Sequence, residues 1–164
     1  MPTEIERKFL VASDAWRVAA DRGRRLRQVY IAETDRAAVR VRTEDDAKGV
    51  LTIKSANPGL SRAEYEYALP FAEARDLFQL RQGSVVEKVR FTVPYADRLW
   101  EVDVYSGDNE GLIVAEIELE SEADAVERPA WVGREVTGDA RYYAARLARA
   151  PFRDWPNPTP DKGP

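Results

Sequence analysis

Eight segments of this chain are typical of extended strands, and seven of them alternate between charged and apolar residues with a period of two. That period is typical of β-strands, because successive side chains of an extended backbone point to opposite faces. Short turn signals such as TEDDAKG and SGDNEG join most of the segments. Eight strands joined in this way favour a closed antiparallel barrel or a sandwich over an α/β fold. The strands are predicted near residues 3–11, 24–33, 37–44, 49–55, 62–70, 84–94, 98–106 and 111–121.

Length and composition indicate one globular domain. A chain of 164 residues can bury a substantial core but is too short for two typical domains. Apolar residues make up 44% of the chain and charged residues 33%, and no apolar run approaches the roughly 18 residues of a membrane helix. No export signal opens the chain, so we expect a cytoplasmic protein without a membrane partner.

The chain contains no histidine and no cysteine. Their absence excludes disulfides, thiolate metal sites and catalytic pairs of serine or cysteine with histidine. Any chemistry must therefore use carboxylates, lysine, arginine, tyrosine, or a metal ion held by oxygen ligands. The net charge of −4 does not indicate a nucleic-acid surface, and we expect no nucleic-acid partner.

Helical patterns interrupt the strands at residues 13–23, 71–80 and 139–150. The third pattern places Tyr143 and Leu147 on one apolar stripe. We expect that stripe to pack on the outside of the sheet.

Proline is abundant at the end of the chain, where it makes up five of the last fourteen residues. We therefore predict one domain over residues 1–150, followed by an extended or disordered tail over residues 151–164.

The charged residues of the eight segments are sorted by sign. Arg-x-Arg and Lys-x-Arg occur on two segments, Glu-x-Glu on three and Glu-x-Asp on another. The simplest interpretation of the alternation is an ordinary sheet with one solvated face, but such faces usually mix charges because like charges repel. The charged faces contain Glu4, Glu6, Lys8, Arg40, Arg42, Lys54, Glu64, Glu66, Lys88, Arg90, Glu101, Asp103, Glu116 and Glu118, with Glu120 in phase.

Separate blocks of cations and carboxylates suit a polyanion that is accompanied by a divalent metal ion. Arginine matches pairs of phosphate oxygens, and carboxylates hold the metal. Only five of the 25 basic residues are lysine, yet Lys8, Lys54 and Lys88 all fall on charged faces. If these faces line a barrel, its interior is a polar tunnel, and Ile5 and Phe9 face outward beneath a helix.

The segment Glu4-Ile5-Glu6-Arg7-Lys8 resembles the ExExK signature of the CYTH superfamily, also called triphosphate tunnel metalloenzymes. The other elements of the family pattern follow in order, so the resemblance covers about residues 3–150. They are Arg-x-Arg at Arg40 and Arg42, Lys54, Glu-x-Glu at Glu64 and Glu66, Lys-x-Arg at Lys88 and Arg90, Glu-x-Asp at Glu101 and Asp103, and Glu-x-Glu at Glu116 and Glu118.

The resemblance implies a mainly β fold, an eight-stranded antiparallel barrel with helices packed outside. Its basic residues would grip a triphosphate and its carboxylates would bind Mg²⁺ or Mn²⁺. Members of the superfamily include inorganic triphosphatases, thiamine triphosphatases, class IV adenylate cyclases and RNA triphosphatases of mRNA capping. This chain looks most like the small bacterial enzymes, by its length and by the segments TEIERKFLV, TIKSANPGLSRAEYE and DARYY. Several of those relatives hydrolyse inorganic tripolyphosphate.

The matching positions give each residue an expected role. The expected metal ligands are Glu4, Glu6, Glu116, Glu118 and Asp103. The expected substrate ligands are Lys8, Arg40, Arg42, Lys54, Lys88 and Arg90. The expected catalytic residues are Lys8, Glu64, Glu66 and Lys88.

Some of these roles have alternatives. Glu64 and Glu66 could instead order neighbouring arginines, and Glu101 and Asp103 could partner other ligands rather than bind metal. Whether Arg27 or Gln28 faces the tunnel is left open.

The charge pattern predicts metal-dependent hydrolysis of a P–O–P bond, and the resemblance implies that the substrate is inorganic tripolyphosphate, split into pyrophosphate and phosphate. Cations recognise phosphates and not what is attached to them, so a thiamine triphosphatase and a class IV adenylate cyclase are alternatives. A module that binds polyphosphate or a nucleotide without hydrolysis is the non-enzymatic alternative. A homodimer is an option if helices leave part of the apolar outer face uncovered.

Overall fold

A single antiparallel sheet closes on itself as a barrel in the computed structural model, which describes residues 3–56 and 60–156. The predicted barrel is therefore confirmed. The strands run in the order β5-β4-β3-β2-β6-β7-β8-β1, and β1 pairs with β5 to close the ring. They are β1 (Thr3–Val11), β2 (Arg24–Glu33), β3 (Ala37–Glu44), β4 (Lys48–Ser55), β5 (Ser61–Leu69), β6 (Gln82–Tyr95), β7 (Arg98–Ser106) and β8 (Ile113–Glu118).

Strand β1 closes the barrel by pairing with a different strand at each of its ends. Its first residues, Thr3 to Ile5, pair with β5, and residues 6–10 pair with β8. A short ninth strand, β9 (Val132–Glu135), adds to β1 outside the ring. The closure sets Glu6 opposite Glu118 and Lys8 opposite Glu116, so the acidic motifs of the first and last barrel strands meet at one seam.

The outward side of this seam is covered by a large apolar cluster. Phe9, Trp100 and Ile117 are buried there, and Ile5 packs against the same cluster. Trp16, from the 3₁₀ turn Asp14–Val18, covers part of it. Ile5 and Phe9 thus face away from the interior, as predicted, and each fully buried side chain of this size contributes about 1.5–3 kcal/mol.

Helix α1 (Phe71–Leu77), continued by the 3₁₀ turn Phe78–Leu80, packs outside the barrel as expected. Ala74 and Phe78 are buried against Val29 and Val41, which point outward from β2 and β3. Gly49 of β4 allows the close approach, since a Cβ there would lie 2.5 Å from the Cβ of Ala74.

The C-terminal segment differs from the expected helix on the outside of the sheet. Only the 3₁₀ turn Ala140–Tyr142 and the single turn α2 (Ala144–Leu147) form, because Tyr143 between them has extended dihedral angles. Leu147 and Tyr142 are buried against Leu10, Tyr30, Tyr105 and other residues whose alternation directs them inward. The segment therefore closes one end of the barrel interior.

Residues just after the predicted domain boundary also belong to the fold. Phe152 is buried in the same cluster, with the ring of Trp155 centred 5.2 Å away. The ordered structure thus extends beyond residue 150, because aromatic side chains among the prolines find apolar partners. The rest of the predicted tail, 157–164, lies outside the described residues.

No helix within residues 3–56 and 60–156 is both long and apolar enough to cross a membrane.

Candidate active site

The inward faces of the strands surround a cavity of about 720 Å³. Strand alternation brings the predicted cations and carboxylates to this one space, with the exception of Asp103, which lies beneath its wall. The lining includes Glu4, Glu6, Lys8, Arg40, Arg42, Lys54, Glu64, Glu66, Lys88, Arg90, Glu101, Glu116 and Glu118.

Asp103 is fully buried and fixes two of the cations. Its Oδ2 lies 2.6 Å from Lys88 Nζ, and Arg90 donates to both of its oxygens at 2.7 and 2.8 Å. Burial alone would raise the pKa of Asp103, but the charges of Arg90 and Lys88 outweigh it. The pKa of Asp103 is therefore below its usual value, and the carboxylate is ionised. Both oxygens have cationic partners. This arrangement fits the alternative given for Asp103, the ordering of cations, and its role as a metal ligand stays a prediction.

Lys88 is the most deeply buried cation of the cavity wall, with only 4% of its surface exposed. Burial and the neighbouring charge of Arg90 lower the pKa of Lys88 to about 8, although Asp103 opposes the shift. Its amine is therefore mainly protonated at neutral pH and loses its charge in mildly basic solution.

Glu116 is held between cations from both sides of the seam. Its oxygens lie 3.4 Å from Lys8 Nζ and 3.4 Å from Arg90 Nη2. Burial opposes ionisation, but Lys8, Arg90 and then Lys88 hold the pKa of Glu116 well below its usual range.

The neighbouring carboxylates of the seam are less well compensated. Burial, then the charges of Glu116 and Glu4, raises the pKa of Glu6 to about 8. The pKa of Glu118 is raised by burial and by Glu4. Glu4 itself has an ionic partner, Lys54, 2.6 Å away, which lowers its pKa against the effect of burial. The carboxylates of the seam therefore repel one another when all are ionised, and Glu6 is largely protonated at neutral pH.

That donor set fits a hard divalent cation, which prefers carboxylate oxygens and would relieve the repulsion. Across the described ranges, however, no three acidic side chains converge closely enough to form a ready-made metal cluster. The carboxylates of Glu4 and Glu116 point instead at lysines. Metal binding at this seam thus requires side-chain rotation.

Two arginines of β3 face the opposite part of the cavity. Arg40 Nη2 donates to Thr52 Oγ1 at 3.0 Å and lies 3.7 and 4.0 Å from the carboxylates of Glu66 and Glu64. Arg42 has no ion pair with any residue in the described part of the chain. Burial, then Arg40 and Arg90, lowers the pKa of Arg42 to about 10. These two guanidinium groups, of which Arg42 has no carboxylate within ion-pair distance among the described residues, can bind an anion.

Glu64 has the environment of an acid or base. Burial, with added repulsion from Glu4 and Glu66, raises its pKa to about 7 against the charges of Lys54 and Arg40. A carboxylate that titrates near neutral pH suits proton transfer.

Several lining residues were missed from the sequence. Arg24 donates to Glu101 at 3.1 Å, and Arg62 lies 4.4 Å above the ring of Tyr143. Arg62 is in phase with Glu64 and Glu66, so the period-two pattern could have found it. Tyr143 faces the cavity, with its ring 5.5 Å from Lys8 Nζ, rather than the outside of the sheet.

The open choice on β2 is also resolved. Gln28 faces the cavity, whereas Arg27 points outward and donates to Glu87 at 2.9 Å.

A closed barrel whose interior brings arginines and lysines together with clustered glutamates defines a class of tunnel proteins for phosphate-rich anions. Comparison with known proteins supports this class. The family model for the CYTH domain matches residues 2–145, so the chain belongs to the CYTH family. Triphosphatases of this family generally depend on a metal ion.

Two similar proteins are bacterial and are named inorganic triphosphatase. The protein of Acetivibrio thermocellus is 44% identical over 156 residues, covering 94% of this chain and 99% of the relative. The protein of Nitrosomonas europaea is 40% identical over 152 residues, covering 89% of this chain and 97% of the relative. A crystal structure of an inorganic triphosphatase matches with a TM-score of 0.64 and 35% identity, over 88% of this chain and 96% of that one.

Proposed function

We propose that this protein hydrolyses inorganic tripolyphosphate to pyrophosphate and orthophosphate, using Mg²⁺ or Mn²⁺. The observation that supports the proposal is the single cavity in which six predicted cations meet the carboxylates of the seam. Phosphate contacts alone are sufficient to bind tripolyphosphate, and the names of the two bacterial relatives favour the same substrate.

The cations would bind the substrate by charge and geometry. Arg40 and Arg42 offer planar donors to phosphate oxygens, and Lys54 offers a compact charge on the neighbouring strand. Arg90 and Lys88 are held in place by Asp103, so their positions are set before the substrate arrives. Such preorganisation reduces the cost of ordering the site at the moment of reaction.

Glu4, Glu6, Glu116 and Glu118 are the residues that we propose to hold the metal ion. A bound Mg²⁺ or Mn²⁺ would polarise phosphoryl oxygens and neutralise negative charge in the transition state. Lys8 lies beside Glu116 at this seam, where its charge can stabilise the leaving oxygen, and Lys88 can do the same from β6.

A general base must accept the proton of the attacking water. Of the two glutamates among the expected catalytic residues, Glu64 is favoured as this base because its pKa is about 7. Glu66, which lies nearer to Arg40, has the alternative role of ordering that arginine.

The test is a parallel assay of phosphate release from tripolyphosphate, thiamine triphosphate and ATP, with each metal. We expect tripolyphosphate to be hydrolysed fastest, and Glu4→Gln and Glu116→Gln to abolish turnover. A cyclic product from ATP would indicate a cyclase instead. Tight binding of tripolyphosphate without any turnover, unchanged in both variants, would support a binding module and contradict the proposal.

A cytoplasmic location and a homodimer stay predictions. The dimer was predicted for the case that helices leave part of the apolar outer face uncovered. Such an uncovered area lies on β4 and β5, where Ile53, Tyr65 and Tyr67 are exposed.

A further inference from the structure

The wall between β2 and β3 contains an unusual group of buried polar atoms. Gln28 is fully buried and lines the cavity, but its Oε1 accepts no hydrogen bond. The Nε atoms of Arg40 and Arg42, on the next strand, are likewise buried without a partner. Within the described residues, the only other such side-chain atoms are the indole nitrogens of Trp16 and Trp100, outside the barrel.

Gln28 is a neutral residue among cations. In the strand register it lies opposite Arg42 of β3 and Val86 of β6. Arg40 and Lys88 are the adjacent inward residues on those two strands, within reach of a long side chain. An unpaired amide is costly in such a buried position. The side chains of Arg40, Arg42 and Lys88 around it can donate hydrogen bonds but cannot accept them.

The side-chain amide of Gln28 contacts the hydroxyl of Tyr30, and this hydrogen bond can form with either end of the amide. Its Nε2 lies 3.4 Å from the hydroxyl oxygen of Tyr30. The two ends of a glutamine amide have nearly the same shape, so a rotation of 180° allows the Tyr30 hydroxyl to donate to Oε1. The same rotation moves the NH₂ group of Gln28 to the position of the unpaired Oε1, in the wall of the cavity. The NH₂ group can be satisfied at that position only by a hydrogen-bond acceptor. Because the neighbouring side chains are cations, the acceptor that best fits the position is an anion.

We propose that Gln28 donates a hydrogen bond to a phosphate oxygen of the bound polyphosphate, at the phosphate that Arg40 and Arg42 also bind. The inference rests on the proposed function, because it names a further ligand of the same substrate. Gln28 is a neutral donor. Its contribution therefore depends on geometry and is screened by salt much less than that of the arginines.

The test compares tripolyphosphate binding to the wild type and to Gln28→Met by calorimetry without metal, at low and high salt. Met has a similar volume but cannot donate. We expect binding about tenfold weaker or more at both salt concentrations, as for a lost hydrogen bond to a charged group. The melting temperature without ligand should be equal or higher, because an unpaired amide has been removed.

Two further variants separate the possible roles of Gln28. Tyr30→Phe keeps the amide, so it should weaken binding less than Gln28→Met. Equal losses in the two variants would show that Gln28 acts only by holding Tyr30, which would overturn the proposal. Gln28→Glu keeps the shape but adds a negative charge, and it should weaken binding further. If the Met variant does not fold, Gln28→Leu, which also lacks a donor and adds no charge, provides the test.

The result for the wild type separates this inference from the proposed function. If the wild type fails to bind tripolyphosphate, the proposed function is wrong. If the wild type binds it and Gln28→Met binds it equally well, only the role of Gln28 is wrong, and its amide is satisfied by a neighbouring arginine or by water.

Discussion

The buried carboxylate of Asp103 orders two cations of the cavity, so its replacement tests a structural role. In Asp103→Asn, Lys88 and Arg90 lose their buried counter-charge. Breaking a buried ion pair by removing one partner costs about 3–5 kcal/mol. We therefore expect the free energy of unfolding, measured in urea without metal, to fall by about that amount.

The matched control for this variant is Glu118→Gln. Glu118 is an expected metal ligand whose pKa is raised by burial and by Glu4, so neutralising it removes repulsion. Its metal-free stability should be unchanged or slightly higher. If Asp103 instead acted only as a metal ligand, Asp103→Asn would leave the metal-free stability unchanged.

The lowered pKa of Lys88 predicts a pH dependence of binding. Burial and Arg90 set this pKa at about 8, so the amine is charged below that pH and becomes neutral above it. Affinity for tripolyphosphate, measured by calorimetry without metal from pH 6.5 to about 9.5, should therefore fall as the pH rises through about 8.

Lys88→Arg is the control for this pH dependence. A guanidinium keeps its charge throughout this range, so the variant should lose the part of the decrease that Lys88 causes. The part caused by ionisation of Glu6, whose pKa is also about 8, should remain. An identical decrease in the wild type and in Lys88→Arg would assign the titration to another group.

Gly49 determines how closely helix α1 approaches the barrel. In Gly49→Ala the new methyl group would lie 2.5 Å from the Cβ of Ala74, so the helix must move outward. Overpacking of this kind costs about 1–3 kcal/mol, which we expect as a loss in the free energy of unfolding. The double variant Gly49→Ala with Ala74→Gly should lose less free energy of unfolding than the two single variants lose together. Additive effects would show that the two positions do not contact.

The barrel strands were predictable because all of them except β2 have one charged and one apolar face, and their observed ends lie close to the predicted ones. Strand β9 was missed because it has only four residues and pairs with distant β1. The C-terminal segment has a helical pattern, but the pattern does not encode the extended backbone of Tyr143 that turns the segment across the barrel end.

The residues of the site could be predicted from the sequence, but which of its charged side chains contact each other could not. Alternation alone assigned the charged residues to one face. The contact of Asp103 with Arg90, by contrast, depends on the register of β6 and β7, which brings the two residues opposite each other. Gln28 gave no signal because charged residues lie on both faces of β2, and only the closed barrel shows which face is enclosed.

The barrel holds like charges close together in one cavity, where they repel one another. A ligand that neutralises them should therefore increase the stability of the folded protein. Glu6 is crowded by Glu116 and Glu4, and Arg42 is crowded by Arg40 and Arg90. A ligand that binds only the folded state stabilises it by about 2.7 kcal/mol at 100 times its Kd. For tripolyphosphate without metal, we expect a rise in Tm of roughly 5–10 °C at that concentration, since about 1 kcal/mol corresponds to 2–4 °C in a chain of this size.

The source of that stabilisation can be assigned by a variant and by a smaller anion. Arg40→Gln with Arg42→Gln removes the paired guanidinium groups and should abolish most of the rise in Tm. Orthophosphate at the same concentration should give a smaller rise in the wild type, because it spans fewer of the cavity's cations. A rise that is equal in the wild type and in the double variant would place the anion on the outer surface. In that case the cavity would not be the site at which the barrel binds its substrate.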